Sequence, residues 1–566
     1  MKKIISLSIF LYSLVLVAQE QFSNPILAGG YPDPSITRVG DDFYMVNSSF
    51  EYFPALPIHH SKDLVNWELI GYGIDREEQL QNGVNLIDVQ QQGGIHAPSI
   101  RYHKGQFYIV VTNVYTPNDS NSPTEMVNFV ITTKDPRKPW SLPHIIENAP
   151  GIDPDLFFDD DGRVYFVGTH DKGKPNTNGI GEIWVQELDL TTWSLIGERT
   201  SIWTGACGGC CVEGPHLYKK NGLYYLMVAE GGTARNHAVM IANSSSILGP
   251  YTSNPKNPIL TSRHLSNSNW VHSVGHGDLV ELKDGRWFMV ALGIRNDLQG
   301  TSNMGRETHL VPVQWETAIS GWKEDSNGVW KPIEDYWPVC APLSGKVERL
   351  DQLPFPMMPQ KYTPHFRDDF SSEKRNLAWN FRRMPKSKMY SLTDRKGFLR
   401  LFLSPMNFEI RERFHAMGFR QSESDFDYKV SLEFSPKKEN AEAGISIFQQ
   451  DDQYVNYTLV KTNGKIQLNL QYSSQEEGIK TLKREALDHF KGQIILGITS
   501  SDNRYNYHYS TDGGKTYKTF TTSAANLVLC KGYIGTQLGV YASSNGIDTD
   551  EFADFNWVEY QGKQRN

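Results

Sequence analysis

Apolar and polar residues alternate along most of this 566-residue chain at the two-residue interval of β-strands, and no long stretch of alanine, leucine, lysine and glutamate repeats at helical spacing. In the first 300 residues the alternation is organised into a unit that recurs five times: a turn, then aromatic residues, then an apolar run. The instances are Asp42-Phe43-Tyr44-Met45-Val46, Gly105-Gln106-Phe107-Tyr108-Ile109, Gly162-Arg163-Val164-Tyr165-Phe166, Gly222-Leu223-Tyr224-Tyr225-Leu226 and Gly285-Arg286-Trp287-Phe288-Met289. Their second aromatics stand 64, 57, 60 and 63 residues apart. Each run follows another strand and a polar turn such as Asp159-Asp160-Asp161-Gly162, which is the grammar of a β-hairpin. Five such sheets of near-equal length, arranged radially, predict a five-bladed β-propeller over residues 22–340; a β-sandwich is not expected to repeat its hairpin at this interval.

Beyond the fifth unit the pattern changes. Residues 341–365 lie in a proline-rich passage without a clear period, containing Leu353-Pro354-Phe355-Pro356-Met357-Met358-Pro359, and read as a linker or strap. From residue 366 to 566, strands such as Tyr428-Lys429-Val430-Ser431-Leu432-Glu433-Phe434 and Ile466-Gln467-Leu468-Asn469-Leu470 alternate with period two, predicting a β-sandwich of jelly-roll or concanavalin type. The predicted class is all-β throughout. At the other end, Lys2 and Lys3 precede an apolar run from Ile4 to Val17 that is too short to span a bilayer. With Ala18 it reads as a signal peptide over residues 1–18, although Leu16 is larger than the usual small residue before a cleavage site. An exported, periplasmic protein is expected, with secretion into the medium as the alternative.

Composition narrows the function. Lysine plus arginine number 56 and aspartate plus glutamate 64, a net charge of −8, so no broad basic face for nucleic acid is expected. No later segment resembles a membrane insertion, and nothing names a protein partner. Tyrosine and phenylalanine number 27 each and tryptophan 13, a surplus that fits both thick β cores and sugar-stacking platforms. The five cysteines, Cys207, Cys210, Cys211, Cys340 and Cys530, are too few for a disulfide scaffold. Cys207 and Cys210 have half the spacing of a zinc site but no second pair; a local disulfide between Cys210 and Cys211 and small buried thiols both remain open.

The candidate chemistry stands at the head of each repeat, 11 or 12 residues before the second aromatic: Asp33, His96, Asp153, Glu213 and His276. All are ionisable. Asp-Pro and Glu-Gly-Pro also open strands as plain turn residues, but five ionisable residues in register across five repeats exceed what turns require. In a propeller the innermost strands line the axis, so these side chains converge, and such a concentration of charge marks a functional site. Two carboxyl groups, one protonated and one ionised, are the machinery of glycoside hydrolysis, and a third raises and orients the acid. A separation of about 6.5–9.5 Å between acid and base leaves room for a water and implies inversion; about 5–5.5 Å implies retention.

Asn24-Pro25-Ile26-Leu27, Tyr31-Pro32-Asp33-Pro34-Ser35, Ser61-Lys62-Asp63-Leu64-Val65-Asn66-Trp67, Gly151-Ile152-Asp153-Pro154, Glu213-Gly214-Pro215-His216-Leu217, Gly275-His276-Gly277-Asp278 and Gly305-Arg306-Glu307-Thr308 resemble glycoside hydrolase family 43, in its β-xylosidase and α-L-arabinofuranosidase branch. The resemblance covers nearly the whole chain beyond the leader. It implies a five-bladed propeller and an inverting mechanism, with Asp33 as general base, Glu213 as general acid and Asp153 as the group that tunes and orients the acid. It places Arg306, Phe50, His96, Ile152 and His276 around the sugar. It associates His276 with a structural cation such as calcium at the propeller axis, held largely through water because histidine is a poor calcium ligand; no cofactor is implied for the chemistry. His96 is a departure, since many β-xylosidases of the branch carry tryptophan there. With the cysteine cluster ahead of Glu213, it favours exo-acting removal of terminal non-reducing α-L-arabinofuranosyl residues from hemicellulose oligosaccharides of xyloglucan or arabinoxylan type. A β-D-xylosidase or a bifunctional enzyme is the first alternative, an endo-arabinanase a more distant one, and a non-catalytic glycan-binding propeller the last. The C-terminal sandwich of the branch can lend a loop that narrows the site to a pocket; an independent carbohydrate-binding role is the other reading of that domain.

Overall fold

The computed structural model describes residues 21–564 except 120–121, 172–180, 207–209, 298–299, 301, 357, 387, 409–410, 412–413 and 530–531. The leader peptide expected over residues 1–18 therefore lies outside the described residues, as do Cys207 and Cys530.

Five successive antiparallel sheets of four or five strands occupy residues 35–340. Their innermost strands are Ser35–Val39, Ser99–His103, Ile152–Phe158, Glu213–Lys220 and Val271–Glu281, and the five aromatics of the repeat all fall on the strand next outward. Each inner strand touches the inner strand of the blade before and after it, and the fifth touches the first, so the ring is continuous. The alternation explains the radial packing, because opposite faces of one strand feed the two neighbouring junctions. In the second blade, Phe107, Ile109 and Val111 pack towards the first blade, whereas Tyr108 and Val110 pack towards the third. The aromatic surplus is thus largely core: Phe43 and Phe288 fill the junction of the fifth and first blades, and Tyr165 and Tyr225 fill junctions beside the fourth.

The ring meets at a buried polar layer. The guanidinium of Arg101, from the second blade, donates to Asp155 of the third at 2.7 Å and to Asp278 of the fifth at 2.9 Å, with His216 Nδ1 of the fourth at 2.9 Å and Ser35 Oγ of the first at 3.3 Å. Tyr218 donates to the other Asp278 oxygen at 2.6 Å. Burial alone would raise the Asp278 carboxyl, but Arg101, His216 and the Tyr218 and Ser35 hydroxyls overcome it and hold it well below the usual range.

The passage after the fifth blade is an ordered strap. Leu350–Gln352 pairs antiparallel with Gln21–Ser23, and Leu353 packs with Phe22, Phe43 and Phe288 over the junction where the ring closes. Residues beyond it form a sheet of eight strands and one of six. Their facing sides, including Phe426, Val430, Ile445, Leu459 and Val540, share one apolar core. This sandwich is tied to the propeller by backbone pairing of Phe381–Arg382 with Tyr52–Phe53 and by ion pairs of Arg382 with Glu51 and of Arg295 with Glu423.

Candidate active site

The heads of the inner strands are built to turn side chains off the sheet. Asp33, Asp153 and His276 all adopt left-handed backbone, with φ of 51°, 54° and 44°, and Gly214, directly after Glu213, has φ of 57°. A non-glycine residue in this region carries a local cost that surrounding structure must hold in place, and such residues cluster at functional sites. The pairing register also slips at Ile152/Asp155, Glu213/His216 and Gly275/Gly277, so each of these strands carries an irregularity where its head leaves the ladder. Gly214 is required for contact as well as for conformation: a Cβ there would lie 2.8 Å from the His276 ring.

Asp33, Asp153, Glu213, Phe50, His96, Ile152, His276 and Arg306 all line one cavity of about 180 Å³. At roughly 30 Å³ of liquid per water this holds about six waters, the scale of one sugar ring and not of a polymer chain. All eight residues singled out in the sequence are thus brought together. Tyr533, Cys211 and Thr233 line it as well and were not among the expected residues. Tyr533 comes from the sandwich, on a loop with no repeat to mark it.

The carboxyl groups are electrostatically unlike. Burial pushes Asp33 upward, but Arg306, His276, the Ser48 hydroxyl and His96 outweigh it and leave Asp33 below the usual carboxylate range. Its Oδ2 accepts from Ser48 at 2.6 Å and from Arg306 Nη2 at 3.3 Å, and Oδ1 accepts from Arg306 Nη1 at 3.0 Å. A carboxylate offers about four lone-pair sites, so Oδ1 keeps one for a further donor. Glu213 is pushed up to about 7 by burial and by the charge of Asp33, against the opposing pull of Arg306. Asp153, which accepts from the Gly214 N–H at 3.2 Å, is raised well above the ordinary value by burial, by Glu213 and by Asp33. At neutral pH the cavity therefore presents one ionised carboxylate and a pair that retains a proton.

Arg306 is a clamp more than a free ligand. Besides Asp33 it donates to Thr233 Oγ1 at 3.1 Å and to the Tyr533 backbone carbonyl at 3.0 Å, and its guanidinium carbon lies 5.4 Å from the Phe50 ring centre and 5.1 Å from that of Tyr533. Of its five N–H donors these four bonds leave one to meet a sugar hydroxyl. Phe50 serves two purposes, forming a cavity wall on one side and packing with Phe408 and Tyr454 of the sandwich on the other. His96 and His276 are both held neutral, down to about 4, chiefly by burial. His96 donates from Nε2 to the Gln92 carbonyl, 3.1 Å away, and meets Phe50 edge-on at 5.1 Å.

The axial cation expected beside His276 would find few protein ligands there and would have to be held largely through water. His276 Nδ1 stands 3.9 Å from Asp33, and among the described residues no group of three or more His, Cys, Asp or Glu side chains is placed to hold a metal ion. The polar layer at the axis is centred instead on the guanidinium of Arg101. That layer had a signal in the sequence, a second polar residue two or three positions after the heads at Ser35, Asp155, His216 and Asp278.

A closed ring of five sheets with a small cavity at its axis, walled by three carboxyl groups held in different protonation states, defines a glycosidase of propeller architecture. The chain belongs to glycosyl hydrolases family 43, whose family model matches residues 22–322, and the beta xylosidase C-terminal concanavalin A-like domain matches residues 367–561. It is similar to a xylosidase/arabinosidase of Butyrivibrio fibrisolvens, 37% identical over 554 residues that cover 94% of this chain and 98% of the relative. It is also 35% identical, over 97% of this chain and 96% of the relative, to the non-reducing end alpha-L-arabinofuranosidase BoGH43B of Bacteroides ovatus. Among solved structures, the Bacteroides ovatus xyloglucan PUL GH43B superposes with a TM-score of 0.83 at 34% identity, covering 96% of this chain and all of the other. A xylan beta-1,4-xylosidase from Bacillus halodurans superposes equally, with a TM-score of 0.83 at 29% identity over 95% of this chain and 100% of the other. No helix among the described residues is long and apolar enough to cross a membrane.

Proposed function

We propose that this enzyme is an exo-acting, inverting glycosidase that removes terminal non-reducing α-L-arabinofuranosyl residues from hemicellulose-derived oligosaccharides of xyloglucan or arabinoxylan type. The observation that carries the reading is the split of protonation states around one cavity the size of a single sugar: Asp33 held ionised, Glu213 held up to about 7. In the proposed reaction Asp33 accepts a proton from a water on the free side of Oδ1 as that water's oxygen bonds to the anomeric carbon. The glycosidic bond breaks on the opposite face, and Glu213 gives its proton to the departing oxygen. Asp153 sits beside Glu213 through the Gly214 N–H and shares its proton, which keeps the acid charged with a proton at working pH. Arg306 orients Asp33 and offers its remaining N–H to the sugar; Phe50, Tyr533, Ile152, His96 and His276 enclose the ring.

The arabinofuranoside preference rests on the polar His96 edge in the wall and on the Bacteroides ovatus relative named for that activity. A β-D-xylosidase is the second reading, favoured by the C-terminal domain match and by relatives that carry that name. Hydrolysis of p-nitrophenyl α-L-arabinofuranoside and p-nitrophenyl β-D-xyloside, with the first-formed anomer followed by NMR, tests sugar and stereochemistry together. Faster release from the arabinofuranoside with inversion is expected. Faster release from the xyloside overturns the sugar assignment, and retention overturns the roles given to Asp33 and Glu213. We also propose, from the signal-peptide pattern over residues 1–18, that the enzyme acts outside the cytoplasm; fractionation of the source cells, with activity in the periplasm or the medium, is the expected result.

A further inference from the structure

Adjacent cysteines stand on the cavity wall two residues before Glu213. Cys210 and Cys211 are both free thiols and both half-buried, and Cys211 lines the cavity itself. Their sulfurs converge on one spot: a Cβ placed on Gly232 would lie 3.6 Å from Sγ of Cys211 and 3.7 Å from Sγ of Cys210. Gly232, also a lining residue, has φ of 69° and carries no side chain to separate them. The segment is pinned from both sides, by the Gly231 N–H donating to the Cys210 carbonyl at 2.9 Å and by Cys211 in left-handed backbone at φ of 63°. Neither thiol has a part in the acid–base chemistry, and an exported chain meets an oxidising environment.

We propose that Cys210 and Cys211 form a redox pair in the wall of the sugar pocket, closing a disulfide between neighbouring residues under mild oxidation and tightening substrate binding when closed. This rests on the proposed glycosidase reading of the same cavity. The oxidant is a low-molecular-weight or protein disulfide. Two S–H bonds and the S–S bond of the reagent break, one S–S bond forms between Cys210 and Cys211, and the two protons and two electrons leave on the reagent as two thiols. Burial, the hydrogen bond with Cys210 and the negative charge of Glu213 push the Cys211 thiol up; one thiol attacks the reagent and the other resolves the mixed disulfide. Neighbouring Cα atoms lie about 3.8 Å apart, below the usual 4.4–6.8 Å span of a disulfide, so the closed pair is strained and readily reduced, unlike a structural cross-link.

Closure changes what the sugar meets. Two thiols that hydrogen-bond become an apolar S–S face against ring C–H groups, and the backbone leading into Glu213 loses freedom. Because no proton of the reaction passes through sulfur, the effect falls on KM and leaves kcat nearly unchanged. A gain equal to about one methylene of buried apolar surface corresponds to a KM roughly fourfold lower in the oxidised enzyme.

The full chain, incubated with oxidised glutathione, alkylated and digested with trypsin, yields a peptide spanning residues 200–219 that holds Cys207, Cys210 and Cys211. A Cys207→Ser chain treated in parallel removes the third thiol. The expected result is a mass about 2 Da lower with Cys210 and Cys211 unalkylated in both chains, reversed by dithiothreitol, together with the fall in KM for p-nitrophenyl α-L-arabinofuranoside. Alkylation of both cysteines after oxidation, a disulfide from either to Cys207 or Cys530, or closure without a change in KM overturns the proposal. Should the chain hydrolyse neither the arabinofuranoside nor the xyloside, the glycosidase reading fails while the pair still stands or falls on the peptide mass.

Discussion

At the scale of single residues the cavity divides labour between carboxyl groups of the same chemical type through their neighbours alone. Asp33 faces a guanidinium and a hydroxyl, whereas Glu213 is buried beside the charge of Asp33. Two consequences are measurable. In the proposed mechanism activity requires Asp33 ionised and Glu213 protonated, so kcat/KM should rise with pH below the ordinary carboxylate range and fall as pH passes about 7, where Glu213 loses its proton. Glu213→Gln should lower kcat by about 10² to 10⁴ and abolish the alkaline limb while leaving the acid limb, as followed by pH-dependent kinetics on an arabinofuranoside. Gly214→Ala tests the geometry without touching a charge. The new Cβ would press on the His276 ring at 2.8 Å in a left-handed backbone that costs about 1–2 kcal/mol. It should therefore lower thermal stability and reduce kcat/KM tenfold or more, since about an ångström of misplacement costs as much as a hundredfold. The identities of these groups were legible in the sequence because each heads a repeat. Which of them holds a proton followed only from the family resemblance, because it depends on Arg306 and Ser48, which no spacing ties to Asp33.

At the scale of elements, alternation along each inner strand produces two stacked layers at the axis. The heads face the cavity, and Ser35, Asp155, His216 and Asp278, two or three residues on, face the guanidinium of Arg101. The aromatic repeat made the blades readable, since Tyr44, Tyr108, Tyr165, Tyr225 and Phe288 each take the second strand. Arg101 stood out less, being one arginine in a short strand, and its partners lie in four other blades. Arg101→Met should leave Asp155 and Asp278 buried without their cation and cost about 3–5 kcal/mol, measured by urea denaturation. The sign with pH is fixed. Asp278 has a lowered folded pKa, so its contribution to stability is complete above the ordinary aspartate value of about 3.9 and is lost as pH falls towards the folded value. In the variant the unpaired buried carboxyls take up protons more readily, so its deficit relative to the wild type should shrink as pH is lowered through this range.

At the scale of the whole molecule the sandwich completes the site, and the contact is made by backbone as much as by side chain. Arg306 Nε donates to the carbonyl of Tyr533, the Thr536 N–H donates to the carbonyl of Asn303, and Gly535 lies so close to the propeller that a Cβ on it would stand 2.2 Å from the Met304 carbonyl oxygen. The two domains were visible in the sequence as a change of pattern across a proline-rich strap, and the family resemblance implied that the sandwich lends a loop to the site; which loop was not legible, because Tyr533 and Arg306 are separated by 227 positions and by no shared period. The interface gives two substitutions with different expected results. Tyr533→Ala removes the ring from the cavity wall and leaves the carbonyl that Arg306 binds, so KM should rise several-fold with the pH profile unmoved. Gly535→Ala keeps the ring but forces the loop away from Met304, drawing the carbonyl of Tyr533 off Arg306 and loosening the clamp on Asp33. With less opposing charge the Asp33 pKa climbs, so the acid limb of kcat/KM should move to higher pH together with a rise in KM. Steady-state kinetics of both variants across pH decide the matter: an acid limb that stays in place in Gly535→Ala would mean that the sandwich shapes the pocket without setting the charge of its base.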